Sequence, residues 1–203
     1  MLLITFLLTA IFISLSGVMM PGPVLASAIV EGYSDRYAGT KIAVGHAFIE
    51  FPIMFAIFFG LGYVFTSSQV RAAIGIGGGL LLLLLGWKMI GFGKKEREGE
   101  PVLRNPWILG TVVSASSPYF FLWWATVGAS LIIKAIEISF FAFILFTIVH
   151  WLCDLTWYSF VSFTTFKSKK FWTEKTKAVV LSICGILMII FGIYFIISAV
   201  SFI

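Results

Sequence analysis

His46-Ala47-Phe48-Ile49-Glu50 places a histidine and a carboxylate one helical turn apart inside a long apolar run, and His150-Trp151-Leu152-Cys153-Asp154 repeats the pattern. Residues four apart lie on the same helix face, so the polar pair of each copy points one way. A carboxylate in hydrocarbon costs about 2.5–3.5 kcal/mol on insertion scales. A chain this apolar does not need that cost in order to fold. Glu50, Asp154, His46 and His150 are therefore the leading candidates for function.

The surroundings of these two turns set the fold class. Hydrophobic residues make up 60% of the 203 residues and charged residues 11%, against roughly 25% charged in a soluble domain. This is the composition of an integral membrane protein, with room for about six spans of ~20 residues joined by short loops. The runs do not alternate apolar with polar residues, which excludes a β-barrel. The expected fold is all-α, a helical bundle of six transmembrane helices in a single transmembrane domain. Cys153 and Cys184 both fall within expected spans and read as small packing residues.

The first expected span, about Leu2 to Val30, is interrupted by Met20-Pro21-Gly22-Pro23, where the prolines take helical donors away from the carbonyls of Gly17 and Met19. The second, about Tyr37 to Phe65, has Ser34 or Asp35 as its cap and carries His46, Glu50 and Pro52. The third, about Val70 to Phe92, contains Gly75-x-x-x-Gly79, a motif for close packing within the chain or between copies in a homo-oligomer. The fourth, about Trp107 to Ile133, opens on an Asn105 cap with Pro106 and breaks at Ser114-Ala115-Ser116-Ser117-Pro118, freeing the Ser114 carbonyl. The fifth, about Ala135 to Thr164, carries His150 and Asp154, and the sixth runs from about Ala178 to the end.

The net charge of +5 reads as topology rather than nucleic-acid binding. Eleven Lys and Arg residues fall in loops one, three and five, against Arg71 and Lys134 in loops two and four. Odd loops are thus expected in the cytoplasm and both termini outside. The two halves also match span for span: a proline break, then His-x-x-x-acid, then two glycines seven apart (Gly79 and Gly86; Gly185 and Gly192). Three-span units repeated in this way enter the membrane from opposite sides. The expectation is two inverted three-helix repeats, about 1–93 and 105–203, with a cytoplasmic linker of about 93–105. In such folds the substrate site lies near the midplane between the broken helices.

The candidate binding and proton-coupling residues are accordingly Glu50, Asp154, His46 and His150, with Pro21, Gly22, Pro23, Ser114, Ser117 and Pro118 at the breaks and Trp124 for cation–π contact with an ammonium group. The carboxylates suit proton or cation carriage and the histidines suit proton relay. His46, Glu50, His150 and Asp154 also suit a divalent cation if the two turns converge. No nucleophile motif, P-loop or dinucleotide fingerprint is present, so neither an enzyme nor a cofactor is expected. Broken helices offer N-termini to a carboxylate and carbonyls to an ammonium group, which points to a secondary transporter of a zwitterion, with protons and membrane lipid as its other partners.

On Pro21-Gly22-Pro23, the glycine-bearing second span around Gly45, the Gly86-Trp87 ending of span three and Ser117-Pro118 in span four, nearly the whole chain resembles the LysE/RhtB family of amino-acid exporters. Many members have Asn-Pro-Lys where this chain has Ser117-Pro118-Tyr119, so it looks like a divergent branch. The resemblance implies a six-helix exporter in the cell membrane, moving amino acids out of the cytoplasm against protons. The wider superfamily also includes metal-ion transporters.

Overall fold

Proline, glycine and serine decide where these apolar helices stop. In a computed structural model of the chain, residues 2–92 and 105–200 are described. Most of the expected linker, with Lys94, Lys95, Arg97 and Arg104, lies outside the described residues. Helix α1 (Leu2–Val18) ends before the Met19–Gly22 break, and α2 (Pro23–Ser34) leaves at 73° to it. Gly22 is extended, and Pro23 opens α2 where its missing N–H costs nothing. The Gly17 carbonyl, expected to be freed, instead accepts from Met20 N–H at 3.2 Å, because the chain tightens as it leaves the helix.

Helix α3 (Ala38–Phe58) runs unbroken through Pro52. It stops short of the expected Phe65 because Gly60 turns left-handed, at φ 81°, as a helix-ending glycine can. Asp35 is not its N-cap; Tyr37 is. Asp35 instead accepts from Tyr37 N–H at 2.9 Å and from Lys41 Nζ at 2.6 Å. Partial burial opposes the Asp35 charge, but these bonds and the Lys41 and Arg36 charges outweigh it and hold the carboxyl below its usual range. A 3-10 turn, Leu61–Thr66, then leads to α4 (Ser68–Phe92).

In the second half Asn105 caps α5 (Pro106–Ala115) by accepting from Trp107 N–H at 3.0 Å. After the break at Ser116 and Ser117 come α6 (Pro118–Trp123), a π-helical turn (Trp124–Gly128) and α7 (Ala129–Ile138). These form one apolar stretch, Pro118–Ile138, of 21 residues, long enough to cross a bilayer alone. The ten residues of α5 span only ~15 Å. The fourth expected span is therefore a half-length helix followed by a full-length one, ending at Ile138 rather than Ile133. The stop is Ser139, extended at φ −179°, whose hydroxyl accepts from Ala142 N–H at 3.1 Å and caps α8 (Phe140–Ser168). Lys134, expected in a loop, thus lies in α7. The expected basic loop from Phe166 is shortened from both sides, by α8 and by α9 (Glu174–Val200).

Among the described residues, five helical stretches are long and apolar enough to cross a membrane, and a sixth span results if α1 and α2 count as one. The protein is an all-helical, multi-pass membrane protein. Phe12, Phe59 and Trp87 are among the large apolar side chains on its outer surface, as lipid contact requires.

Small residues set the packing. Helix α3 lies between α5 and α8, α1 and α2 lie on α8, and α4 pairs with α9. A Cβ on Gly45 would land on the Trp107 carbonyl, and one on Gly110 would land on the Ile42 carbonyl, so α3 and α5 touch backbone to backbone. On the other pair, a Cβ on Gly79 would lie 2.6 Å from the Gly192 carbonyl, and one on Gly86 would lie 2.6 Å from that of Gly185. The glycines seven apart in each half thus meet one another across one antiparallel crossing. Gly75 packs on Ala199, so the Gly75-x-x-x-Gly79 face is used inside the chain.

Gly79→Val is expected to destabilise by about 1–3 kcal/mol, as overpacking does, and to lower the unfolding midpoint in detergent. Gly77→Ala, where an added Cβ meets nothing within 4 Å, should leave stability unchanged or raise it by up to about 1 kcal/mol, with the midpoint unchanged or higher. Thermal unfolding of both variants checks the pair.

Candidate functional site

The two His-x-x-x-acid turns converge. Glu50 Oε1 lies 3.2 Å from His46 Nε2 on its own helix and 3.2 Å from His150 Nε2 on α8. Asp154 is held more loosely: Oδ1 is 3.9 Å from His46 Nε2, and Oδ2 is 3.7 Å from His150 Nε2. All four side chains are buried, Glu50 to 1% exposure. Along α3 the pair 46–50 lies between Ile42 and Ala43 in one apolar cluster and Ile53, Met54 and Ile57 in another. Along α1, Ser14 lies between Ala10 and Val18 of the same two clusters. The charged layer is thus enclosed by apolar packing on both sides, where electrostatic contacts are stronger than in water.

Each histidine is fixed from behind by a serine of the other half. His46 Nδ1 is 2.6 Å from Ser114 Oγ on α5, and His150 Nδ1 is 2.7 Å from Ser14 Oγ on α1. The Ser114 hydroxyl also donates to the Gly110 carbonyl at 2.6 Å. It has one proton to give, so His46 Nδ1–H must be the donor in the first bond. His46 Nε2 then needs a further proton to bond Glu50, carried either as an imidazolium or by the carboxyl group itself. His150 can instead accept from Ser14 and donate Nε2–H to Glu50 as a neutral ring. One proton is therefore shared along His46–Glu50, and its release would set the Nε2 lone pair against the Glu50 carboxylate. Glu50 Oε2 and Asp154 Oδ2 are buried with no hydrogen-bond partner among the described residues. Buried acceptors left open in this way suit a proton, an ammonium group or a cation.

These groups form one wall of a cavity of about 770 Å³, its open mouth included, which also touches Pro21, Gly22, Pro23, Ser117 and Trp124. Two expected residues stand elsewhere. Ser114 lies behind the wall, holding His46, and Pro118 lines a neighbouring cavity. Trp124 is buried with its ring edge-on to His150 at 4.8 Å, and Trp123 lies 5.3 Å from the same ring. Trp124 opens the π-helical turn Trp124–Gly128, and its indole packs on Gly128, where a Cβ would strike it.

Sequence reasoning missed Ser14, Gly17 and Tyr158, all on the cavity wall. Ser14 carries no signal in an apolar helix. Gly17 is small because Trp123 Nε1 lies 3.0 Å from where its Cβ would be. Tyr158 had a weak signal, one turn beyond Asp154 on the same face.

One comparison with known proteins gives a match. A family model described as LysE type translocator matches residues 15–199. No curated protein and no solved structure matches the chain.

With only His46 and His150 in the chain, ¹⁵N-histidine labelling gives a spectrum of two rings. His46 Nδ1 is expected to be protonated, and Ser114→Ala should shift the His46 signals while leaving those of His150 nearly unchanged. An unprotonated His46 Nδ1 would overturn the proton assignment.

Proposed function

The chain belongs to the LysE type translocator family, a family of transporters rather than enzymes, and on that premise we propose a secondary transporter that exports amino acids or similar small zwitterions from the cytoplasm in exchange for protons. The observation that carries the reading is the Glu50–His46–His150–Asp154 cluster, buried on the wall of a cavity between two broken helices.

In this reading the substrate's ammonium group approaches the open oxygens of Glu50 and Asp154. Its carboxylate faces the start of α2, where Val24 and Leu25 line the cavity and their N–H groups lie in the donor-rich first turn. Ammonium and proton then compete for the same carboxylates. The site loads one or the other, so an inward-moving proton is exchanged for an outward-moving substrate. His46, held at Nδ1 by Ser114, shares the proton with Glu50 through Nε2, and Trp124 keeps the His150 ring in register. Pro21, Gly22, Pro23 and Ser117 shape the cavity rather than contact charge, and Pro118 lines the cavity beside it.

The organisation proposed with it is two inverted repeats, about 1–93 and 105–203, in the cell membrane with odd loops in the cytoplasm and both termini outside. Three features support it: the reciprocal glycine crossing of α4 and α9, the exchange of serine–histidine bonds between halves, and the basic residues Lys167–Lys177 at one end of the bundle.

Counterflow in proteoliposomes with a panel of labelled amino acids, with and without a pH gradient, tests the proposal. Flux is expected to fall about tenfold or more in Glu50→Gln and Asp154→Asn, the loss that ~1.4 kcal/mol of lost interaction gives. Absence of flux for every amino acid, or flux indifferent to both variants, would sink it.

One observation favours a second reading, a divalent-cation exporter. His46, Glu50 and Asp154 offer ligand atoms within 4.8 Å of one another. Ser114 holds His46 by Nδ1, which is how ligating histidines are usually oriented toward a metal. Elemental analysis of the purified protein separates the readings: bound divalent metal that disappears in His46→Ala supports the cation as cargo.

A further inference from the structure

A second cavity adjoins the first and has a different character. It occupies about 870 Å³, its open mouth included, between α4, α6 and α9, and Arg71 is the charged residue among the described residues that line it. Tyr194 adds a second aromatic hydroxyl to its wall beside Tyr119. Two side chains, Tyr119 and Phe195, line both cavities, so a single aromatic layer separates them. The Tyr119 hydroxyl donates to Met20 Sδ at 2.7 Å, and Met20 sits in the α1–α2 break on the central cavity. One side chain thus bridges the two helix breaks across the space between them. A thioether is a weak acceptor, so this latch costs little to release.

The position is also specific. The second cavity lies against the first turns of α4 and the last turns of α9. That is the end of the bundle away from Lys167–Lys177, which precede or open α9. Under the orientation proposed above it faces the exterior. Arg71 there attracts a carboxylate and repels an ammonium group, opposite to the carboxylate-rich central site.

We propose that this cavity is the outer vestibule of the export path, that Tyr119 with Phe195 is the partition closing it from the central cavity, and that Arg71 receives the substrate's carboxylate on the way out. The inference rests on the transport reading for the identity of the substrate but not for its test. A zwitterion held by its ammonium group at Glu50 and Asp154 reaches this side carboxylate first, and Arg71 offers it a partner before the ammonium group is released. Tyr119 must swing from Met20 for the path to open.

Thiol labelling tests this without transport. In a background with Cys153→Ala and Cys184→Ala, Ile74→Cys reports on the vestibule and Leu25→Cys on the central cavity. Membrane-impermeant methanethiosulfonates of either charge are applied from each face of reconstituted vesicles. Ile74→Cys should react from the face opposite the basic loops, the anionic reagent being favoured, and Arg71→Gln should lower the anionic-to-cationic rate ratio about fivefold. Leu25→Cys should react slowly from that face, about tenfold or more faster with Tyr119→Ala, and by a smaller factor with Tyr119→Phe, which removes the latch and keeps the ring. An unchanged ratio in Arg71→Gln overturns the carboxylate-receiving role. Leu25→Cys rates indifferent to both Tyr119 variants, or Ile74→Cys reactive only from the basic face, overturn the vestibule. Labelling as expected in a protein without amino-acid flux supports the vestibule and counts against the transport reading alone.

Discussion

Glu50 Oε1 is shared by two imidazole nitrogens at 3.2 Å each, and the rest of the bundle is arranged to make that contact tolerable. A lone carboxylate removed from water costs several kcal/mol, and breaking such a pair costs more than forming it gains. The compensation is built in layers. Two histidines supply the donors, two serines hold the histidines, and two apolar clusters close off the layer on either side. Glu50 Oε2 has no partner among the described residues, and Asp154 makes only the longer contacts of 3.7 and 3.9 Å. Two nearby carboxylates are thus treated differently by one fold: Glu50 is tied, and Asp154 has room to take something else.

The helix breaks act less through freed carbonyls than their proline content suggests. Gly17 keeps a partner through Met20 N–H, and Ser114 keeps one through Ser117 N–H at 3.1 Å. What the breaks provide is a change of direction, 73° between α1 and α2. That bend opens space beside a buried charged layer and presents the start of α2 to it. Shape and exposed N–H groups, more than liberated oxygens, are what they bring to the cavity.

The halves are interlocked rather than merely similar. The serine of α1 holds the histidine of α8, and the serine of α5 holds the histidine of α3. Gly79 and Gly86 of α4 press against the carbonyls of Gly192 and Gly185 on α9. A displacement in one half is therefore felt at the charged residues of the other. That coupling suits the exchange cycle proposed above.

Much of this was legible in the chain itself. Composition determined the helical membrane class. The four-residue spacing determined that each His and acid share a face, because helix periodicity is a local property. Pro23 and Pro118 marked the breaks because a missing N–H acts within one turn, and Asn105 marked a cap for the same reason. The length of α3 was misread because Gly60 looks like any other glycine until its φ is known, and the end of the fourth span was misread because Ser139 becomes a stop only when it caps α8. The meeting of Glu50 with His150, a hundred residues away, was beyond local reasoning. So were Ser14 as a histidine anchor and the π-helical turn at Trp124. The residue types and their helical faces were set by the sequence alone, since those follow from short-range sterics and solvation. Which faces meet, which carboxylate is tied and which stays open was decided by tertiary packing, because only close approach of distant glycines and serines fixes one buried proton-sharing arrangement among the several the same residues permit.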